Sequence, residues 1–107
     1  MAFDNSKIKS KENDELFEAV LALETMEECY RFFEDLMTIK ELQSAAQRWH
    51  VAQLLDLKRT YTDIAEETRA SAATISRVNK CLSYGADGYS MMLRKLKEKK
   101  GAESPEK

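Results

Sequence analysis

The chain has 107 residues, 34% of them charged, with one proline, three glycines and a formal net charge of −2. That length sustains one domain with a modest buried fraction, so partial reliance on a partner chain follows from size alone. No apolar run is long enough to cross a bilayer, and the polar start MAFDNSKIKSKEND lacks the apolar core of a signal peptide, so the expected place is the cytoplasm with no membrane partner.

Residues 1–12 show no periodicity and read as a mobile N-terminal arm, ahead of a single helical domain over 13–97 and a disordered tail over 98–107. Asn13 or Asp14 caps a first helix in which Leu16, Phe17, Val20, Leu21 and Leu23 share one broad face, ending near Glu24. Thr25 and Glu28 form a capping box that opens a second helix, whose Cys29, Phe32, Phe33, Leu36 and Met37 keep unbroken helical spacing. Thr38 and Glu41 repeat the device, and a third helix follows through Leu42, Ala45, Ala46, Trp49, Ala52 and Leu55. Val51 and Leu54 widen its stripe, as burial on more than one side would require. Lys58 and Arg59 then suit the negative end of a helix dipole. Thr60 or Thr62 caps a short helix over 63–68, Ser71 caps another from Ala72 to about Ser83, and Gly85 is expected in the left-handed position past its end. Asp87 caps a last helix carrying Tyr89, Met92, Leu93 and Leu96. With no strand-like alternation, the class is all-α with about six helices.

Charge is divided along the chain. Residues 1–57 carry six basic and twelve acidic side chains, whereas residues 58–100 carry ten and five, so the second half is where a polyanion would dock. That half also contains a helix-turn-helix pattern over about 62–83. Ala65 is the small residue at the crossing, Ile75, Val78 and Leu82 face inward, and Thr68 and Ala70 pack under the turn. Arg69 stands where the turn usually has glycine. It is either a misfit costing about 1 kcal/mol or a residue kept for its charge in a turn of another shape. Steps of 100° per residue place Ala73, Ser76, Arg77 and Lys80 opposite the inward face. The surface expected against double-stranded DNA thus has Ala72 and Ala73 for thymine methyls, Thr74 and Ser76 for phosphate or base edges, and Arg77 and Lys80 for phosphates or guanine. Ser71 opens a set of free N–H groups for phosphate, Lys58, Arg59 and Arg69 are expected to flank the same surface, and Thr62 belongs to it. A helical interaction module, with this basic face against an acidic protein, is the alternative.

The remaining residues point away from catalysis. His50 is the only histidine and has no nucleophile partner, the three glycines form no phosphate loop, and Cys29 and Cys81 lack metal-ligand spacing, so neither enzyme nor metal site is expected. Glu27, Glu28, Glu34 and Asp35 form a solvated acidic surface, and Tyr30, Phe32, Phe33 and Trp49 belong to a core or a dimer interface.

The segments LMTIKELQSAAQRWHVAQLL and YTDIAEETRASAATISRVNKCL resemble the Trp repressor superfamily, and more closely its Trp-repressor-related branch in Firmicutes. The resemblance covers roughly Leu16 to Leu96, most specifically Ala73-Thr74-Ile75-Ser76-Arg77 and Leu82. It implies an intertwined homodimer that binds operator DNA through two symmetric helix-turn-helix units and acts as a repressor. In the Trp repressor a corepressor lies against two arginines. One corresponds to Arg77, and the other to Arg48 or to Gln47, depending on which end the count starts from. An effector pocket would then involve Arg48, Arg77 and Cys81. Val78 follows Arg77 where the Trp repressor has glycine, so indole fits poorly there; no cofactor is expected, and any small-molecule effector is left unassigned.

Overall fold

In the computed structural model, which describes residues 7–103, five of the six helices begin at a serine or threonine whose hydroxyl accepts an N–H of the first turn. Ser10 serves α1 (Lys11–Leu21), Thr25 serves α2 (Met26–Leu36) and Thr38 serves α3 (Ile39–Asp56). Thr60 serves α4 (Tyr61–Thr68) and Ser71 serves α5 (Ala72–Tyr84). The sixth, α6, is Gly88–Glu103. No strand occurs among the described residues, and the class is all-α.

Several boundaries differ from the sequence reading. Ser10, not Asn13 or Asp14, caps α1, because the polar turn Lys11–Asp14 is helical before the apolar spacing begins, and Asn13 instead donates its side-chain amide to the Ile8 carbonyl. The cap of α4 is Thr60, so this helix takes in Tyr61 and Thr62. The last helix continues through Glu103, into the segment read as tail; residues 1–6 and 104–107 of the expected arm and tail lie outside the described residues. The Thr38 and Glu41 capping box closes in both directions, at 3.1 and 2.9 Å. In the other box the Glu28 carboxylate reaches one residue further back, to the Glu24 N–H at 2.8 Å.

Contacts divide the chain into two compact units, Met1–Leu42 and Gln43–Lys107, where the sequence suggested one domain; the boundary falls inside α3. In the first, α1 and α2 contain no buried residue. The second holds a core of Val51, Ala52 and Leu54 from α3, Ile64 from α4, Ala70 from the turn, and Ile75 and Val78 from α5. Each fully buried Val or Ile there contributes about 1.5–3 kcal/mol relative to exposure. Trp49, Leu55, Ala65 and Tyr89 pack against this cluster, with Trp49 and Tyr89 stacked at 6.3 Å and 22°. Within the first unit, Phe32 and Phe33 meet edge to face at 5.4 Å.

Two helices of the second unit, α3 and α4, end on left-handed residues that are not glycine. Lys58 (φ 66°) ends α3, with its own N–H on the Leu55 carbonyl and the Arg59 N–H on the Leu54 carbonyl, the pair of bonds of a Schellman motif. Gly85, expected to be left-handed, has φ −83° and ψ −156°. Its reason for being glycine is steric, because a Cβ built there would stand 2.5 Å from the Cys81 carbonyl oxygen.

Candidate nucleic-acid interface

Three side chains from outside α5 set its placement. The α4–α5 turn opens with Arg69 at φ 64° and ψ 16°, a left-handed cap whose N–H bonds the Ala65 carbonyl at 2.9 Å. The turn thus has the shape that favours glycine, with arginine in it. Ala70 follows, 5% exposed, and anchors the turn in the core. The Thr68 hydroxyl donates to the Ile64 carbonyl at 2.7 Å and accepts the Ala70 N–H at 3.1 Å, so one side chain ties the end of α4 to the turn. From α3, Gln47 donates its amide to the Thr68 carbonyl at 3.1 Å. Sequence reading considered Gln47 only as a counterpart of a corepressor arginine; a partner twenty-one residues away leaves no local signal.

With Ile75 and Val78 each 1% exposed, the opposite side of α5 is determined by helix geometry. Ser71, Ala72, Ala73, Ser76, Arg77 and Lys80 are exposed, Thr74 is half-buried, and Thr62 and Arg69 are exposed on the preceding helix and turn. The Ser71 hydroxyl both accepts the Thr74 N–H and donates to the Thr74 hydroxyl, at 3.1 Å each, which fixes the first turn of α5. Among the described residues no carboxylate pairs with Lys58, Arg69, Arg77 or Lys80. Arg59 differs, for it lies 3.6 Å from Glu67, which also meets His50 Nε2 at 3.3 Å. His50 therefore sits half-exposed in a polar cluster linking α3 to α4. The arrangement presents a helix of short side chains, with free cations at its border and its far end, to any large anionic surface.

The residues considered for an effector behave differently from one another. An open, apolar cavity of about 450 Å³ is lined by Trp49, Cys81, Ala86, Gly88, Tyr89, Met91 and Met92. Cys81 belongs to it, but Arg48 and Arg77 do not line it. Arg48 instead donates to the Ser44 hydroxyl at 2.8 Å along its own helix. Sequence periodicity did not single out this cavity, because Ala86 comes from the α5–α6 link and Gly88 is the first residue of α6, so neither carries helical spacing. Among the described residues there is no cluster of His, Cys, Asp and Glu able to hold a metal, and no helix long and apolar enough to cross a membrane.

Comparison with known proteins agrees with this geometry. The model of the Trp repressor protein family matches residues 11–97. The Uncharacterized protein YerC of Bacillus subtilis (strain 168) is 55% identical over 92 residues, which are 86% of this chain and 88% of that protein. Among solved structures, a TrpR-like protein from Eubacterium eligens ATCC 27750 is similar with a TM-score of 0.83 and 51% identity, covering 86% of this chain and 95% of that one. A Staphylococcus aureus protein with a provisional Trp repressor assignment has a TM-score of 0.83 and 45% identity, covering 90% and 96%.

Proposed function

Because the chain belongs to the Trp repressor family, we propose that it is a transcriptional regulator, acting as a repressor, that binds double-stranded DNA sequence-specifically as a homodimer. The observation that carries this reading is the outer face of α5, where Ala72, Ala73, Ser76, Arg77 and Lys80 stand exposed opposite buried Ile75 and Val78. Short side chains at the start of a helix let its backbone approach base edges in a major groove, and the cations further along reach phosphate or guanine. The homodimer is supported by α1 and α2, which bury no residue yet expose Phe17 (50%), Leu21 (83%) and Tyr30 (68%). Large apolar side chains left exposed on helices that bury nothing are what a partner surface would cover. The site of action is the cytoplasm, where the chromosome of a bacterium lies, and no catalysis, metal or cofactor is part of the reading.

Selection of bound duplexes from a random pool, followed by gel shifts at rising salt, tests it. The expected result is a specific duplex retained at moderate salt, with half-sites about one helical turn apart. The double variant Arg77→Ala, Lys80→Ala is expected to lose at least about fivefold to 150-fold in affinity, on the basis of ~1–3 kcal/mol for a single base-reading contact, and to remain folded and self-associated. Tight binding to an acidic protein, with no duplex retained, would reject the regulator in favour of an interaction module.

A further inference from the structure

Among the described residues, three other than glycine hold a positive φ: Lys58, Arg69 and Asp87. Only Arg69 lies in the turn between the two helices of the proposed reading head. A side chain with a β-carbon is disfavoured in that conformation, and glycine is the usual occupant. The simplest return would be service to α4, whose carbonyl end attracts cations. That service is already supplied. The Ala65 carbonyl accepts the backbone N–H of Arg69 itself, the Ile64 carbonyl accepts the Thr68 hydroxyl at 2.7 Å, and the Thr68 carbonyl accepts Gln47 at 3.1 Å. The Glu67 carboxylate on α4 is engaged by Arg59 and His50, and no carboxylate among the described residues pairs with Arg69. The next residue, Ala70, is buried, so the backbone is held while the Arg69 side chain stays in solvent beside the start of α5.

An exposed guanidinium kept in an unfavourable backbone position, with no acceptor among the described residues, is accounted for by an acceptor on the ligand. We infer that Arg69 holds a backbone phosphate of the duplex beside the recognition helix, contributing affinity that is independent of base sequence. The inference rests on the DNA-binding reading of the site. Guanidinium suits this task because its planar fork matches two phosphate oxygens and its charge releases a condensed counterion.

The test compares the full-length wild type with Arg69→Gly and Arg69→Lys. Each is titrated by fluorescence anisotropy against a duplex recovered from random-pool selection and against a scrambled duplex of equal length, over about 50 to 200 mM salt. Arg69→Gly is expected to keep a Tm at or above that of the wild type and to weaken both duplexes by the same factor, roughly fivefold, with the log–log salt slope flatter by about 0.9. Arg69→Lys is expected to keep the wild-type slope. If Arg69→Gly retains the wild-type slope and affinity, or lowers Tm with the slope unchanged, this inference falls while the DNA-binding reading stands. A wild type that binds neither duplex overturns both.

Discussion

Helices α2 and α5 reverse the usual relation between pattern and burial. The second helix keeps Cys29, Phe32, Phe33, Leu36 and Met37 at unbroken helical spacing, yet none of its residues is buried, and Leu36 remains 46% exposed. The fifth is interrupted by small and hydroxyl residues, yet places Ile75 and Val78 at 1% exposure. Periodicity reports which side of a helix is apolar and is silent about what covers it. For α5 the cover comes from α3, α4 and the turn, through Val51, Leu54, Ile64 and Ala70. For α2 the proposed homodimer would supply the missing cover from a second copy.

The largest consequence concerns α5. Ile75→Ala is expected to cost about 2–5 kcal/mol in urea unfolding, because a side chain packed on all sides leaves a cavity. A loss below that range would mean that the core around α5 collapses readily and is less rigid than its burial suggests. Next comes Leu36→Asp, which is expected to weaken self-association by about ten- to a hundredfold, roughly 1.4–2.8 kcal/mol, in sedimentation velocity with helicity retained. Unchanged association would remove the role given to the α2 stripe. The smallest effect pairs equivalent caps in the two units: Ser71→Ala and Thr25→Ala are each expected to lower stability by ~1 kcal/mol, since both delete an acceptor for a first-turn N–H. Equal costs would show that local capping is indifferent to burial, and a cost at Ser71 alone would tie the value of a cap to the packing behind it.

What was legible in the sequence follows the range of each interaction. Caps depend on residues three apart, so Thr25, Thr38 and Ser71 were identified, along with the reciprocal box of Thr38 and Glu41, whereas Glu28 was expected on the Thr25 N–H and bonds that of Glu24. Ser10 escaped because the apolar spacing used to find α1 begins a turn after the helix does. Thr60 and Thr62 were equivalent on composition, and the geometry selects Thr60. The inward residues Ile75 and Val78 and the exposed face opposite them were readable from helical periodicity alone. Gln47 on Thr68, and Glu67 shared by Arg59 and His50, depend on how α3 meets α4, which no local spacing encodes. Arg69 lay between these cases: its position called for glycine, and only the backbone angles decide that the turn kept its usual shape around an arginine.

Gly85 has a consequence for mutational tolerance. Its N–H closes the last bond of α5 on the Cys81 carbonyl at 2.9 Å, while a β-carbon on the same residue would stand 2.5 Å from that oxygen. The bond and a side chain cannot coexist in this backbone, so every substitution must either give up the bond or swing the peptide and redirect the chain toward α6. Gly88 and Gly101 have open space where a β-carbon would go. A saturation library across the three glycines should therefore be depleted at one codon and permissive at the other two, which makes Gly85 the fixed pivot at the end of α5 while the two glycines of α6 are free to drift.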